Sequence, residues 1–180
     1  MLSLTPILLS LSTYIALATS SPTPLRLSTR QTPPCLDPSA ALSLATTFAD
    51  LVGAYTPAKA DAVLLATFTD HSDAINSLRG AAPGSVTFDG REAFKAAQTG
   101  HGGVPMEVDA VVGVTCDTVV WRWHAVFGAG TSVRGINVNR YVRGEENASG
   151  GWWVERVDME MNALAYVENV GGEWSVPRPA

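Results

Sequence analysis

Arg122 and His124 stand two residues apart in the run Val119-Val120-Trp121-Arg122-Trp123-His124-Ala125-Val126-Phe127. The run alternates with period 2, as a β-strand does. Trp121, Trp123, Ala125 and Phe127 share one face; Val120, Arg122, His124 and Val126 share the other. Neither face is polar throughout, so a cation and an imidazole sit among large apolar neighbours and each needs a partner. An imidazole near a carboxylate in such surroundings moves protons around neutral pH. A guanidinium beside it orients an acidic group or stabilises developing negative charge. The chemistry indicated is proton transfer on a small, mostly apolar metabolite with an activated carbonyl. Parity decides between two outcomes. If Arg122 and His124 face the interior with Asp158, the chain reads as a small enzyme. If Trp121 and Trp123 face it instead, the histidine loses its apolar surround and a non-catalytic binding module is the better reading.

Asp158 and Glu160 alternate with Val157, Met159 and Met161 and share a face with Arg156 and Asn162. They are expected either as cavity carboxylates paired to Arg122 or His124, or as a solvated face with the methionines in the core. A register error of one residue exchanges the two. His71, between Asp70 and Asp73, is the second proton-transfer candidate; its alternative is a solvated turn over residues 69–73. His101, in Gly100-His101-Gly102-Gly103, reads as an exposed loop residue. Asn137 and Asn139 fall on one strand face, where they bond either a ligand carbonyl or a neighbouring backbone. Trp121 and Trp123 are core residues or platforms for an aromatic ligand. No P-loop, dinucleotide fingerprint or Gly-x-Ser-x-Gly elbow is present. No Cys or His stands at zinc-like spacing. Neither cofactor nor metal is expected.

These residues must be placed by a small set of elements. Asp37-Pro38 gives an N-cap with Pro at the first helical position, and Leu42, Ala45, Ala49 and Val52 follow at helical spacing up to Gly53. Thr56-Pro57 repeats the signal, with Ala60, Val63 and Leu64 as a second stripe. Asp89-Gly90-Arg91-Glu92 resembles a capping box with Asp as the cap, and Ala93, Phe94 and Ala97 form its apolar face. Four Val-, Trp- and Ile-rich runs then predict strands over 106–115, 118–127, 132–143 and 152–161. Short links between them favour antiparallel neighbours. Helices followed by an antiparallel sheet imply an α+β fold, with the N-terminal helices on the concave face of a curved sheet and one pocket between.

The chain has 180 residues and a net charge of −5, with its basic residues scattered. Nucleic acid and anionic membrane are therefore not expected partners. Leu2 to Ala18 is uncharged and reads as a signal peptide cleaved after Ala18, or secondarily after Ser20; a transmembrane anchor is the alternative. A Ser/Thr/Pro-rich leader fills 19–34, the folded unit spans 35–172, and 173–180 is a tail. Cys35 and Cys116 are expected to pair in an oxidising compartment. The alternatives are two free buried thiols or a reactive Cys116. Asn147-Ala148-Ser149 is a glycosylation sequon between two predicted strands. A secreted, extracellular protein is the consistent expectation.

The order helix–helix–short strand–helix–four long strands resembles the nuclear transport factor 2-like superfamily, the SnoaL-like or cystatin-like α+β cone. Three segments carry the likeness. Residues Leu64 to Asp73 look like the superfamily's segment after the second helix, where a polar residue enters the cavity. Val86 to Phe94 looks like its Gly-Arg-Glu-Ala third helix. Gly151 to Asp158 looks like its last strand. The chain is also similar to small secreted fungal members. The resemblance covers roughly residues 37–172. It implies a deep apolar cone serving a cofactor-free cyclase, dehydratase or isomerase, or else a non-catalytic domain that binds a small ligand or dimerises sheet to sheet. Arg122-x-His124 with Asp158 is similar to the Arg-x-Asp and last-strand Asp of the limonene epoxide hydrolase type, with His in place of the first Asp.

Overall fold

The structure is a computed structural model that describes residues 35–100, 103–128, 130–147 and 149–175. The proposed signal peptide, the leader and His101 lie outside the described residues.

Two helices come first. α1 (Pro38–Gly53) opens with the Asp37 carboxylate accepting from Ser39 N, and α2 (Pro57–Val63) with Thr56 Oγ1 accepting from Lys59 N. These are the predicted caps, and they satisfy backbone donors that have no partner within the helix. The buried stripe of α1 is Ala41, Leu44, Ala45, Phe48, Ala49 and Leu51, while Leu42 is exposed. The stripe is thus rotated from the expected one, because Phe48 is the side chain that reaches the sheet.

β1 (Leu64–His71) follows α2 directly, then α3 (Asp73–Leu78), β2 (Phe88–Asp89) and α4 (Arg91–Gln98). The N-cap of α4 is Gly90, not Asp89, and it has no side-chain cap bond. Asp89 belongs to β2, and Gly90, at φ 96°, makes the corner between strand and helix that a side chain would strain. β3 (Met106–Val114), β4 (Thr118–Ala125), β5 (Val133–Arg143) and β6 (Trp152–Met161) are the four long strands, each within two residues of its predicted ends. A short α5 (Ala163–Asn169), capped by Asn162, closes the described chain. Neither α3 nor α5 carries an apolar stripe long enough to announce itself in sequence.

The six strands form one open sheet in the order β2-β1-β6-β5-β4-β3. Among the described residues only β1 and β6 run parallel. The fold is α+β with helices on the concave face, as expected. α1 lies across β3 and β4, and α4 covers β1 and β2. Phe94 of α4 meets Phe68 and Phe88 edge-on, while Phe48 of α1 meets Trp121 at 6.3 Å between centroids.

Cys35 and Cys116 form a disulfide across 81 residues of sequence, and Leu36 N donates to Cys116 O beside it. The start of the domain is thereby tied to the β3–β4 turn. Closing a loop of that length stabilises by about 4 kcal/mol through the unfolded chain. The double variant C35S/C116S should melt on the order of 10 °C lower in a thermal scan; an unchanged midpoint would show that the bridge constrains nothing.

Candidate functional site

Parity is settled by burial. Trp121 and Trp123 are 0% and 1% exposed and face the helices, whereas Arg122 is exposed and His124 half-buried on the opposite, convex face. Opposed residues in antiparallel strands share a face, so the pairing Trp121↔Asn137↔Met159 and Val119↔Asn139↔Val157 carries this parity across β5 and β6. The parallel pairing Asp70↔Val157 carries it into β1.

His124, Arg122, His71, Asp158 and Glu160 therefore all lie on the convex face. They do not form one group. His124 Nδ1 is 2.6 Å from Asp109 Oδ1 and its Nε2 is 3.6 Å from Glu107 Oε2, so its carboxylates come from the edge strand β3, not from β6. Arg122 forms no ion pair among the described residues. Asp158 is held by Arg156 in a two-pronged contact of 2.5 and 2.8 Å, which keeps its carboxyl below the usual range. Glu160 accepts from Asp73 N and Ala74 N, at 2.7 and 2.9 Å, and anchors the start of α3 to the sheet. His71, Asp158 and Glu160 do meet, with Ile136 and Val138, around an open cavity of about 400 Å³ on that outer face. Asn147 is half-buried. Its carbonyl accepts from Ser149 N and Gly151 N, and its amide donates to Trp152 O, which closes the β5–β6 loop.

The concave face holds a different set. Trp123 Nε1 donates to Asn137 Oδ1 at 2.6 Å, Asn137 Nδ2 to Asn139 Oδ1 at 3.4 Å, and Asn139 Nδ2 to the Tyr141 hydroxyl at 3.3 Å. This buried ladder runs along β5, and burial pushes the Tyr141 phenol well above its ordinary value. Asn137 and Asn139 thus bond side chains of the ladder rather than neighbouring backbone. Gly135 makes room for it: a Cβ there would come within 2.3 Å of the Trp123 ring.

Asp70 is the residue that sequence reasoning passed over. It is 5% exposed, and its Oδ1 has no hydrogen-bond partner among the described residues. Burial, with smaller contributions from the Asp158 and Glu160 charges across the sheet, raises its carboxyl from 3.8 to about 7. The signal was present, since a polar residue was expected to enter the cavity from this segment. His71, the candidate named from this segment, lies on the convex face instead. Trp121 Nε1 is likewise buried with no hydrogen-bond partner among the described residues. Among the described residues no group of three or more His, Cys, Asp or Glu side chains is arranged to hold a metal ion.

An open mixed sheet wrapped over N-terminal helices, with a buried carboxyl on its inner face, now stands beside the comparisons with known proteins. Residues 34–173 match the family model of the NTF2-like domain. The chain belongs to the NTF2-like family. Among solved structures, it is similar to a hypothetical protein of ketosteroid isomerase-like fold from Catenulispora acidiphila, in complex with trimethylamine. The two share 16% identity over 74% of this chain and 97% of that one, with a TM-score of 0.52. TsrD from Streptomyces laurentii matches at 17% identity over 77% and 99% of the two chains, TM-score 0.52. Wild-type IdmH from Streptomyces antibioticus, a candidate polyketide cyclase, matches at 12% identity over 73% and 98%, TM-score 0.52. Likeness at these identities establishes the fold. No curated protein matches the sequence.

Asp70 makes folding pH-dependent in a definite sense. Its carboxyl ionises near pH 4 in the unfolded chain but near pH 7 in the folded one. Between those values folding takes up a proton, so this contribution is fully present below pH 4 and is lost as pH rises to 7 and above. Relative to D70N, the wild-type protein should lose up to about 4 kcal/mol of stability between pH 4 and pH 8. Parallel urea-denaturation profiles for the two proteins across that range would show that the carboxyl is not perturbed.

Proposed function

We propose that this NTF2-like domain binds a small, mostly apolar, neutral metabolite against its concave face and moves a proton on it through Asp70, without a cofactor. The supporting observation is the Asp70 carboxyl: buried, short of a partner at Oδ1, and titrating near neutrality. A base with that pKa is about half ionised at neutral pH, the best compromise there between being deprotonated and being strong. The inward tryptophans favour binding over catalysis by His124, but the same parity brings Asp70 inside. Removing a proton from the carbon next to a carbonyl forms a Cα–carbon double bond as the C–H pair moves in, and negative charge appears on the carbonyl oxygen. The proton then sits on Asp70 and returns to the same or another carbon, which is the elementary step shared by isomerases and cyclases. The surrounding Phe68, Val157 and Met159 keep water away from the exchanging proton.

The test uses a probe ketone, 6-propionyl-2-(dimethylamino)naphthalene, in deuterated buffer. Wild-type protein should accelerate deuterium incorporation next to the carbonyl, with a rate that rises with pH through about 7 and then levels. D70N should lose on the order of 10²- to 10⁴-fold of that acceleration. No acceleration by the wild type, or full acceleration by D70N, removes the proton-transfer reading.

The convex face supports a second role, as a homodimer interface. Val112, Val126 and Ile136 are exposed there, Val120 and Val138 are half-buried, and arginines 122, 134, 140 and 156 alternate with Glu107, Asp109, Asp158 and Glu160. Such a mixture can pair with a copy of itself about a two-fold axis. Sedimentation at micromolar concentration should show a dimer that V112E/I136E converts to monomer; a wild-type monomer would dismiss the interface.

A further inference from the structure

We propose that the open cavity on the convex face is a binding site for a small organic cation, an ammonium head on an aliphatic or alicyclic body. The site is separate from the concave face and does not depend on proton transfer by Asp70.

The floor of the cavity is sheet. Ile136 pairs with Glu160, and Val138 with Asp158, which in turn pairs with His71, so these side chains stand side by side across β5, β6 and β1. The wall is the start of α3, with Asp73, and the turn at Gly84 and Ser85. Between them lies a space of about 400 Å³, open to solvent, of a size that small-molecule sites commonly have. Part of its lining is aliphatic. Ile136 is exposed and Val138 half-buried, and covering that surface with an apolar body is favourable.

The rest of the lining carries charge, three carboxylates against one guanidinium. Arg156 is already engaged by Asp158 through two hydrogen bonds. Glu160 and Asp73 form no ion pair among the described residues. Both are nevertheless held in place. Glu160 accepts from Asp73 N and Ala74 N, and Asp73 Oδ1 accepts from Gly84 N at 2.6 Å. Neutral amide donors orient a carboxylate without cancelling its charge. The fold therefore fixes two uncompensated negative charges beside an aliphatic floor.

Other occupants fit this lining less well. An anion would meet both carboxylates with no free cation to offset them. A bare metal ion needs several converging ligands, and among the described residues no group of three or more His, Cys, Asp or Glu side chains is arranged to hold one. A neutral molecule covers the floor but leaves both charges as they are. An ammonium head offers N–H donors to Glu160 and Asp73 while its body covers Ile136 and Val138, so it alone uses both parts of the lining.

The probe is cyclohexylamine, a cation at neutral pH, with cyclohexanol and cyclohexanecarboxylate as neutral and anionic controls of the same shape. Binding is read from the NMR shifts of the Val138 methyl groups and the His71 ring, on samples whose oligomeric state is followed by sedimentation. Wild-type protein should saturate with cyclohexylamine at a Kd on the order of 1 mM, as befits so few atoms, and should bind each control several-fold more weakly. D73N keeps an acceptor for Gly84 N and loses one charge. It should bind the amine about two- to fivefold more weakly and leave cyclohexanol unchanged. I136W enlarges an exposed side chain into the cavity and should abolish saturable binding. Absence of saturable shifts in the wild type would overturn the site, as would equal binding of the carboxylate. Amine binding unchanged in D73N or in I136W would do the same, leaving only general attraction to an acidic surface. Binding seen only where sedimentation shows monomer would make a second copy the occupant and likewise overturn the amine.

Discussion

Two tryptophans with one residue between them cannot both be solvated in a strand without exposing several hundred square ångströms of ring, so β4 must turn that face inward. Once Trp121 and Trp123 lie beneath α1, the alternation of side chains along β4 is fixed. Opposed residues share a face, so the choice propagates through β5 to β6 and β1 without further freedom. Gly135 reinforces it by leaving the space the Trp123 ring occupies. Every polar group in the sheet is then sorted. Asp70, Asn137, Asn139 and Tyr141 go inward; His71, Arg122, His124, Arg156, Asp158 and Glu160 go outward.

The sorted groups are treated differently by the fold. Most outward charges find a partner: His124 with Asp109 and Glu107, Arg156 with Asp158, and Glu160 with the backbone of α3. Partly exposed pairs of this kind contribute little to stability, commonly under about 1 kcal/mol each, and they hold one another in place. The inward groups are few, and two of them lack what the outward ones have. Electrostatics on the two faces are also linked, since the charges of Asp158 and Glu160 add to the burial that lifts the Asp70 carboxyl. The outer carboxylates thus act on the interior through the thickness of the sheet while remaining on the surface themselves.

Much of the scaffold was legible in the sequence because it depends on local signals. Asp37-Pro38 and Thr56-Pro57 cap their helices as read, and the four Val-rich runs are the four long strands. The two cysteines do pair. Parity was not legible, because Val120 and Val126 make the outer face of β4 look half apolar. In β6 a bulge between the pairs Arg140↔Arg156 and Tyr141↔Val154 turns both Val154 and Val157 inward, three residues apart, which breaks the alternation a reader would extend. Asp70 was hidden by the same one-residue ambiguity: its neighbour His71 is the more conspicuous chemical group, yet Phe68 shares a face with Asp70 and not with His71. An aromatic two residues before an acid, in a strand otherwise short of carboxylates, was the available sign.

On the concave face, Trp121 Nε1 and Asp70 Oδ1 are buried with no hydrogen-bond partner among the described residues. Trp123, Asn137, Asn139 and Tyr141 show that this sheet can satisfy buried donors and acceptors along a single strand. The same solution was open at Trp121, where phenylalanine would fill the space with no donor to satisfy, and at Asp70, where asparagine would carry no charge. Trp121 and Asp70 instead leave a donor and an acceptor unpaired, among the described residues, on one face of the core. Local departures from hydrogen-bond satisfaction concentrate where a protein binds something. At Asp70 that departure is what the proposed proton transfer rests on, since the burial that leaves Oδ1 unpaired also holds the carboxyl near neutrality.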